Sequence, residues 1–213
     1  MMRTNTTASL KLTLTLGVLC AAMILPACSS TSSRNNGAGA GEIDPALAYA
    51  RRQRAEAREH YTLATKLAAD GKEDEALAEY RKALELDDKL YAAWNNMGQL
   101  LMGQKNYADA VAAFQIAANI EPTDPRPHYN IGLAYQRVGW AQDAYHSYEQ
   151  SLSRDPNYIP AMRGLTRSAE MLGSGDRALL EVIKQAQLRE RDEQWRDYFR
   201  AQYQRVETLI ANR

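Results

Sequence analysis

The sequence predicts an all-α fold: a solenoid of stacked helix-turn-helix units closed by a C-terminal capping helix. Three observations carry that expectation. Chemically similar residues recur at a fixed separation of 34. Within each unit the apolar positions fall at steps of three and four, the period of an amphipathic helix rather than of a strand. After residue 44 Ala is abundant and β-branched residues are sparse. Ala, Leu, Glu, Gln, Lys and Arg lose little on becoming helical.

The period can be followed residue by residue. Ala76, Ala110, Ala144 and Ala178 stand 34 apart. Tyr80, Phe114 and Tyr148 come four after the first three of these, and Ala83, Ala117 and Ser151 three beyond those. Leu63, Met97, Ile131 and Leu165 come thirteen before the alanines, each followed directly by Ala64, Gly98, Gly132 or Thr166. Gly71, Gly139 and Gly173 mark turns, with Gly103 just ahead of its place. Small residues at Ala64, Gly98 and Gly132 let a paired helix approach closely, and the aromatics fill the gap toward the next unit. Pro122 and Pro156 also keep the period, and each ends a helix because proline cannot continue a helix interior.

This pattern resembles the tetratricopeptide repeat. The second unit carries it most fully, in Trp94, Met97, Gly98, Leu101, Ala110, Phe114, Ala117 and Pro122. The third reads His128, Ile131, Gly132, Tyr135, Ala144, Tyr148, Ser151 and Pro156. The first reads His60, Leu63, Ala64, Leu67, Ala76, Tyr80 and Ala83, with Asp88 in place of proline. The fourth keeps Leu165 and Ala178 but has Thr166, Val182 and Gln185 at family positions. The resemblance implies a right-handed α-solenoid over residues 44–188. Its repeats run over about 57–90, 91–124 and 125–158, with a degenerate one over 159–188.

Asp44-Pro45 is a helix start, with an acceptor at the N-cap and proline at the first helical position. The helix it opens is expected to run unbroken to about Ala69. At the other end, residues 189–213 form a charged helix with Trp195, Phe199, Val206 and Leu209 on one apolar side. Terminal repeats need a polar outer face, so this helix is expected to cap the solenoid. A detached partner-binding helix is the competing reading.

Upstream of the solenoid the chain reads as a processing segment. Arg3 and Lys11 are the only charges before residue 34. The apolar run from Leu12 to Leu25 is short for a membrane span, which needs ~20 residues. It ends in Leu25-Pro26-Ala27-Cys28, which resembles a bacterial lipobox. The resemblance implies a lipoprotein signal peptide over 1–27, cleavage after Ala27 and lipidation of Cys28. A plain secretory signal or an uncleaved anchor is the competing reading. Residues 28–43, rich in Ser, Gly and Asn, are expected to be a flexible tether. Cleavage would leave 24 basic and 26 acidic residues and a single cysteine, so no disulfide forms within one mature chain.

The full chain carries 26 basic and 26 acidic residues, and no basic excess points to nucleic acid. His60, His128 and His146 are not in a metal-ligand arrangement. There is no Gly-rich phosphate loop, nucleophile elbow or paired-His motif. The expectation is a protein that is not an enzyme, with no cofactor, no metal and no small-molecule substrate.

In the family that the pattern resembles, the first helices of successive repeats line a concave groove. Carried over position by position, the resemblance implies a partner-binding wall of Arg58, Tyr61, Thr65, Asn95, Asn96, Gln99, Met102, Arg126, Tyr129, Leu133, Gln136, Arg163 and Arg167. Aromatic rings, amides and guanidinium groups suit an extended peptide or a partner helix. Binding on the convex side or along the C-terminal helix is the alternative. The family's carboxylate clamp is incomplete here. Asn96 is retained and Arg126 could replace a lysine, but Tyr61, Thr65 and Asn130 stand at the other positions.

The function implied is a non-catalytic scaffold that binds envelope proteins through the groove and is held to the membrane by a lipid anchor. Ser29 after the cysteine resembles a signal for the outer membrane, facing the periplasm. The alternative is an accessory or regulatory subunit recruiting a cell-wall enzyme or a pilus or outer-membrane assembly complex.

Overall fold

A computed structural model describes residues 44–212. The signal peptide over 1–27, the lipidation site Cys28 and the tether to residue 43 lie outside the described residues. Within them no helix is long and apolar enough to cross a membrane.

The described residues form nine α-helices and no strand. They are α1 (Pro45–Ala69), α2 (Glu73–Leu86), α3 (Tyr91–Gly103), α4 (Tyr107–Ile120), α5 (Arg126–Val138), α6 (Ala141–Arg154), α7 (Ile159–Met171), α8 (Arg177–Arg189) and α9 (Glu193–Ala211). Each helix packs on the next, and α1, α3, α5 and α7 also touch in succession along one side. Two apolar clusters form the spine, one around Tyr80 and Phe114 and the other around Tyr148 and Phe199. Tyr135 packs against both.

The first helix is long for local reasons. The Asp44 carboxylate accepts from the Ala46 N–H at 2.9 Å, and Pro45 occupies the first turn. No glycine or proline then interrupts its 25 residues, whereas the other first helices of the repeats have 13. The turns between paired helices use left-handed glycines, Gly71 at φ 76°, Gly139 at 88° and Gly173 at 60°. In the second repeat that place falls to Lys105, at φ 63°, while Gly103 is the last residue of α3.

Small residues set the helix spacing. A Cβ on Gly98 would stand 2.7 Å from the Phe114 ring, and one on Gly132 2.7 Å from the Tyr148 ring. Phe114 and Tyr148 are fully buried. The aromatic therefore packs within its own repeat, onto the glycine, and Tyr148 also reaches Gly164 of the next repeat. The fourth unit substitutes at both places. Thr166 stands for glycine, its hydroxyl donating to the Met162 carbonyl at 2.8 Å, and Val182 stands for the aromatic.

Four features depart from the periodic expectation. Ala178 is exposed, although Ala76, Ala110 and Ala144 on the same step are fully buried, and Leu179 beside it turns inward instead. Leu63 is 45% exposed, although its counterparts Met97, Ile131 and Leu165 are buried. Among the described residues no earlier repeat covers that side of α1. His60 does more than pack: its Nδ1 stands 2.6 Å from a Glu79 carboxylate oxygen. Lys82 and then His60 hold the Glu79 carboxyl below its ordinary range. Lastly, Glu190 to Asp192 separate α8 from the C-terminal helix, which starts at Glu193. Asp192 caps it by accepting from the Trp195 N–H at 3.1 Å. Phe199 stands 34 after Leu165 and is fully buried, as is Val206. Helix α9 thus occupies the place of the first helix of a fifth unit, and packs on α8 and α7.

Candidate partner-binding groove

Five of the sequence-predicted groove residues converge. Tyr129, Leu133 and Gln136 of α5 share one helix face, as do Arg163 and Arg167 of α7. With Tyr148, Pro160, Gly164 and Trp195 they line a cavity of about 230 Å³. Glycine at 164 leaves room for the Tyr148 ring, which crosses from α6. The Tyr148 hydroxyl donates to Gln136 Oε1 at 3.0 Å. Burial pushes its phenol far above the ordinary range, so it remains a neutral donor. Tyr129 lies 5.9 Å from the Tyr148 ring and 5.6 Å, edge-on, from Tyr158. Such tilted and edge-on pairs rigidify an aromatic floor.

The far wall is charged. Arg163 forks onto Glu190, with Nε donating at 2.7 Å and an Nη at 2.6 Å. One Glu190 oxygen also accepts from the Arg191 and Asp192 N–H groups at 2.9 and 3.0 Å. Arg163 chiefly, with those backbone donors, holds the Glu190 carboxyl below the usual carboxylate range. Trp195 closes the end, its ring centroid 4.6 Å from the Arg163 guanidinium carbon and 5.4 Å from that of Arg167. Both distances are within cation–π reach. Glu170 fastens α9 further, accepting from the Tyr198 hydroxyl and from Gln202 Nε2, each at 2.8 Å.

The remaining predicted positions lie outside this cavity. Asn95 is 7% exposed, and its amide accepts from Asn130 at 3.1 Å and donates to Asn96 at 3.4 Å. It is an internal tie between α3 and α5. Asn96 donates to the Tyr61 hydroxyl at 3.3 Å. The Thr65 hydroxyl donates to the Tyr61 carbonyl at 2.9 Å and lies 3.3 Å from that of Tyr80. Met102 packs against the core around Phe114. Arg126 forks onto Asp124, which also accepts from the Tyr91 hydroxyl at 2.8 Å. Arg58 and Gln99 are exposed.

Tyr148, Pro160, Gly164 and Trp195 are the lining residues that the periodic reading did not assign to the groove. Extending the 34-residue step from Leu165 to Phe199 would have placed α9 beside α7 and with it Trp195. A second cavity, about 420 Å³, opens between α4, α5 and α6 and is lined in part by His128, Asp143, His146 and Gln150. His146 and Gln150 pair with each other there at 3.0 Å.

Comparison with known proteins agrees with the helical-repeat fold. A family model described as TPR repeat matches residues 98–139, and one described as tetratricopeptide repeat matches residues 125–158. The chain is 30% identical over 90 residues to human protein O-mannosyl-transferase TMTC3, which is 42% of this chain and 10% of that protein. It is 24% identical over 95 residues to human Superkiller complex protein 3, which is 45% of this chain and 6% of that one. The match therefore spans a tenth or less of the length of these relatives. Among solved structures, MamA from Desulfovibrio magneticus RS-1 superposes with a TM-score of 0.57 at 22% identity, covering 68% of this chain and 81% of that one. The first TPR of Spaghetti (RPAP3), bound to the HSP90 peptide SRMEEVD, gives 0.54 at 22% identity, covering 57% and 96%. At these identities the likeness is one of fold. The chain thus carries tetratricopeptide repeats, stacked as an all-α solenoid.

Proposed function

We propose that this chain is a non-catalytic interaction scaffold, lipid-anchored in the cell envelope, that grips a segment of a partner protein in its groove. The observation that carries the groove reading is the pairing of an aromatic floor with a cation. Tyr129, Leu133 and Tyr148 offer apolar area, while Arg167 is exposed beside them with no carboxylate within ion-pair distance among the described residues. A rigid apolar floor with one oriented charge suits a peptide side chain flanked by a polar or acidic group. A solved structure of similar fold holds a peptide, the HSP90 peptide on RPAP3.

The anchor and the compartment rest on sequence. Leu25-Pro26-Ala27-Cys28 supports lipidation, and Ser29 supports the outer membrane, facing the periplasm. More than one acyl chain gives stable attachment.

Two experiments test this reading. Leu133→Glu with Tyr129→Ala should abolish crosslinking of the full chain to its envelope partners while helix content stays the same. Persistent crosslinking would refute the groove. Asn95 is a poor probe for this purpose, because its amide is tied inside the core. Cys28→Ser should move the protein from the membrane fraction to the soluble one. Unchanged retention would refute the lipid anchor.

A further inference from the structure

The first helix has a feature that its counterparts lack. It is 25 residues long where α3, α5 and α7 have 13, and the excess lies at its N-terminal end. Along it Leu47, Arg51, Arg54, Arg58, Tyr61 and Thr65 follow one another at steps of four and three. That spacing places all six on one face of a helix. Tyr61 and Thr65 are groove positions by the repeat pattern, and Tyr61 is bonded to Asn96 of the neighbouring first helix. The three arginines therefore continue the groove wall outward. From Leu47 to Arg58 the stripe is about 16 Å long at 1.5 Å per residue.

Among the described residues no carboxylate pairs with this stripe. Arg51, Arg54 and Arg58 are exposed. Glu56 sits two residues from Arg54 and Arg58, which turns it to the opposite side of the helix. Leu47, at the outer end, is 46% exposed. The whole chain has no net charge, so an uncompensated row of three cations is a local segregation of charge. Such a row attracts a complementary partner and fixes its direction.

We propose that Arg51, Arg54 and Arg58 form a docking strip for an acidic segment of the partner protein, which continues from there into the groove. The proposal rests on the groove reading for the course of the rest of the partner. The occupant is a peptide because the strip shares its face with Tyr61 and Thr65, which hold the repeat positions that Tyr129 and Leu133 hold in the cavity, so one extended chain can follow both. The partner's acidic run is about three to four residues long, since Arg51 and Arg58 stand about 10 Å apart along the helix and an extended chain covers ~3.3 Å per residue. Its Asp or Glu carboxylates meet the three guanidinium groups in succession, and an apolar residue beyond them meets Leu47 or Tyr61.

The full chain, held in detergent micelles, can be panned against a library of random twelve-residue peptides. The expected result is enrichment of peptides bearing a run of Asp or Glu, with binding that weakens as salt is raised. The variant Arg51→Glu/Arg54→Glu/Arg58→Glu should bind them about tenfold or more weakly, since three ion pairs are each reversed. Arg→Gln at the same positions should give an intermediate loss. Circular dichroism should be unchanged, because Glu and Gln are good helix formers. Failure to enrich acidic peptides, or equal affinity in the charge-reversed variant, overturns the proposal. So does a variant that keeps its peptides and loses only its retention on phosphatidylglycerol vesicles, which would assign the strip to a membrane. Leu133→Glu separates the two readings. If it abolishes binding and the arginine variant does not, the groove stands and the strip falls. If only the arginine variant loses binding, the strip stands and the groove reading falls.

Discussion

Arg163 stacks on Trp195, its guanidinium carbon 4.6 Å from the ring centroid, while the same group forks onto Glu190. One side chain of α7 thus holds both the turn before α9 and the first turn of α9. The Glu190 side chain is only 4% exposed, so its charge depends on Arg163 and two backbone N–H groups for compensation. Removing it leaves Arg163 partly buried without its partner. Glu190→Ala should cost about 2–3 kcal/mol in denaturant unfolding. Trp195 emission should shift toward that of exposed indole. An unchanged midpoint would show that the latch contributes nothing.

The same carboxylate gives a pH dependence with a defined sign. Arg163 lowers the Glu190 value in the folded state below its ordinary 4.5. The folded state then binds its proton less readily than the unfolded state, so the stabilisation is present above the ordinary value. It is lost as pH falls through the lowered one. Glu79 and Asp124 are shifted the same way and add to the trend. The stability gap between wild type and Glu190→Gln should be constant from neutral pH to about pH 5 and close in stronger acid. A gap that stays open in acid would mean that Glu190 acts by shape alone.

Gly132 is required by the Tyr148 ring. A Cβ there would stand 2.7 Å from a ring that is fully buried and bounded on its other side by Gly164. Gly132→Ala should destabilise by about 1–3 kcal/mol through overpacking, even though Ala is the better helix former. Gly103→Ala is the control. It lies at the end of α3 with nothing within 4 Å of the added carbon, and it should be neutral or stabilise by up to about 1 kcal/mol. Thermal unfolding of the two variants checks both. Equal melting temperatures would remove the packing argument.

The helices were legible in the sequence because a solenoid repeats its local environment. Ala76, Phe114 and Ile131 occupy buried places that recur every 34 residues, and periodicity alone locates them. Periodicity cannot say what covers a position. Leu63 sits on the same step as Met97 yet is exposed, because burial depends on a neighbouring repeat and not on the residue. Nor does it say where a polar side chain finds its partner. Asn95 reads as a groove amide, but Asn130, one repeat later, draws it inward. Trp195 reads as part of a charged cap. It reaches the groove because Glu190 pairs with Arg163, 27 residues away, and that contact has no local signature. The cluster of Tyr129, Leu133, Arg163 and Arg167 was readable from repeat position, whereas its closure by Trp195 needed the three-dimensional packing.

Lys105 carries the cost of one irregular turn. Its φ of 63° is the left-handed conformation that the other turns assign to Gly71, Gly139 and Gly173. In that region a side-chain Cβ crowds the following carbonyl, at a cost of roughly 1–2 kcal/mol. The conformation persists because the turn is tied on both sides of it. The Lys105 N–H donates to the Met102 carbonyl at 3.1 Å and the Asn106 N–H to the Leu101 carbonyl at 2.8 Å. Lys105 is exposed, so replacing it sacrifices no packing. Against the relief stands the greater freedom of glycine in the unfolded chain, about 0.5–1 kcal/mol. Lys105→Gly should therefore stabilise the fold by a net amount of about 0.5–1 kcal/mol. Lys105→Ala retains the Cβ and should give no such gain. Urea unfolding of the three proteins distinguishes these outcomes, and a stabilisation shared equally by Ala and Gly would point to the lysine charge instead of the backbone.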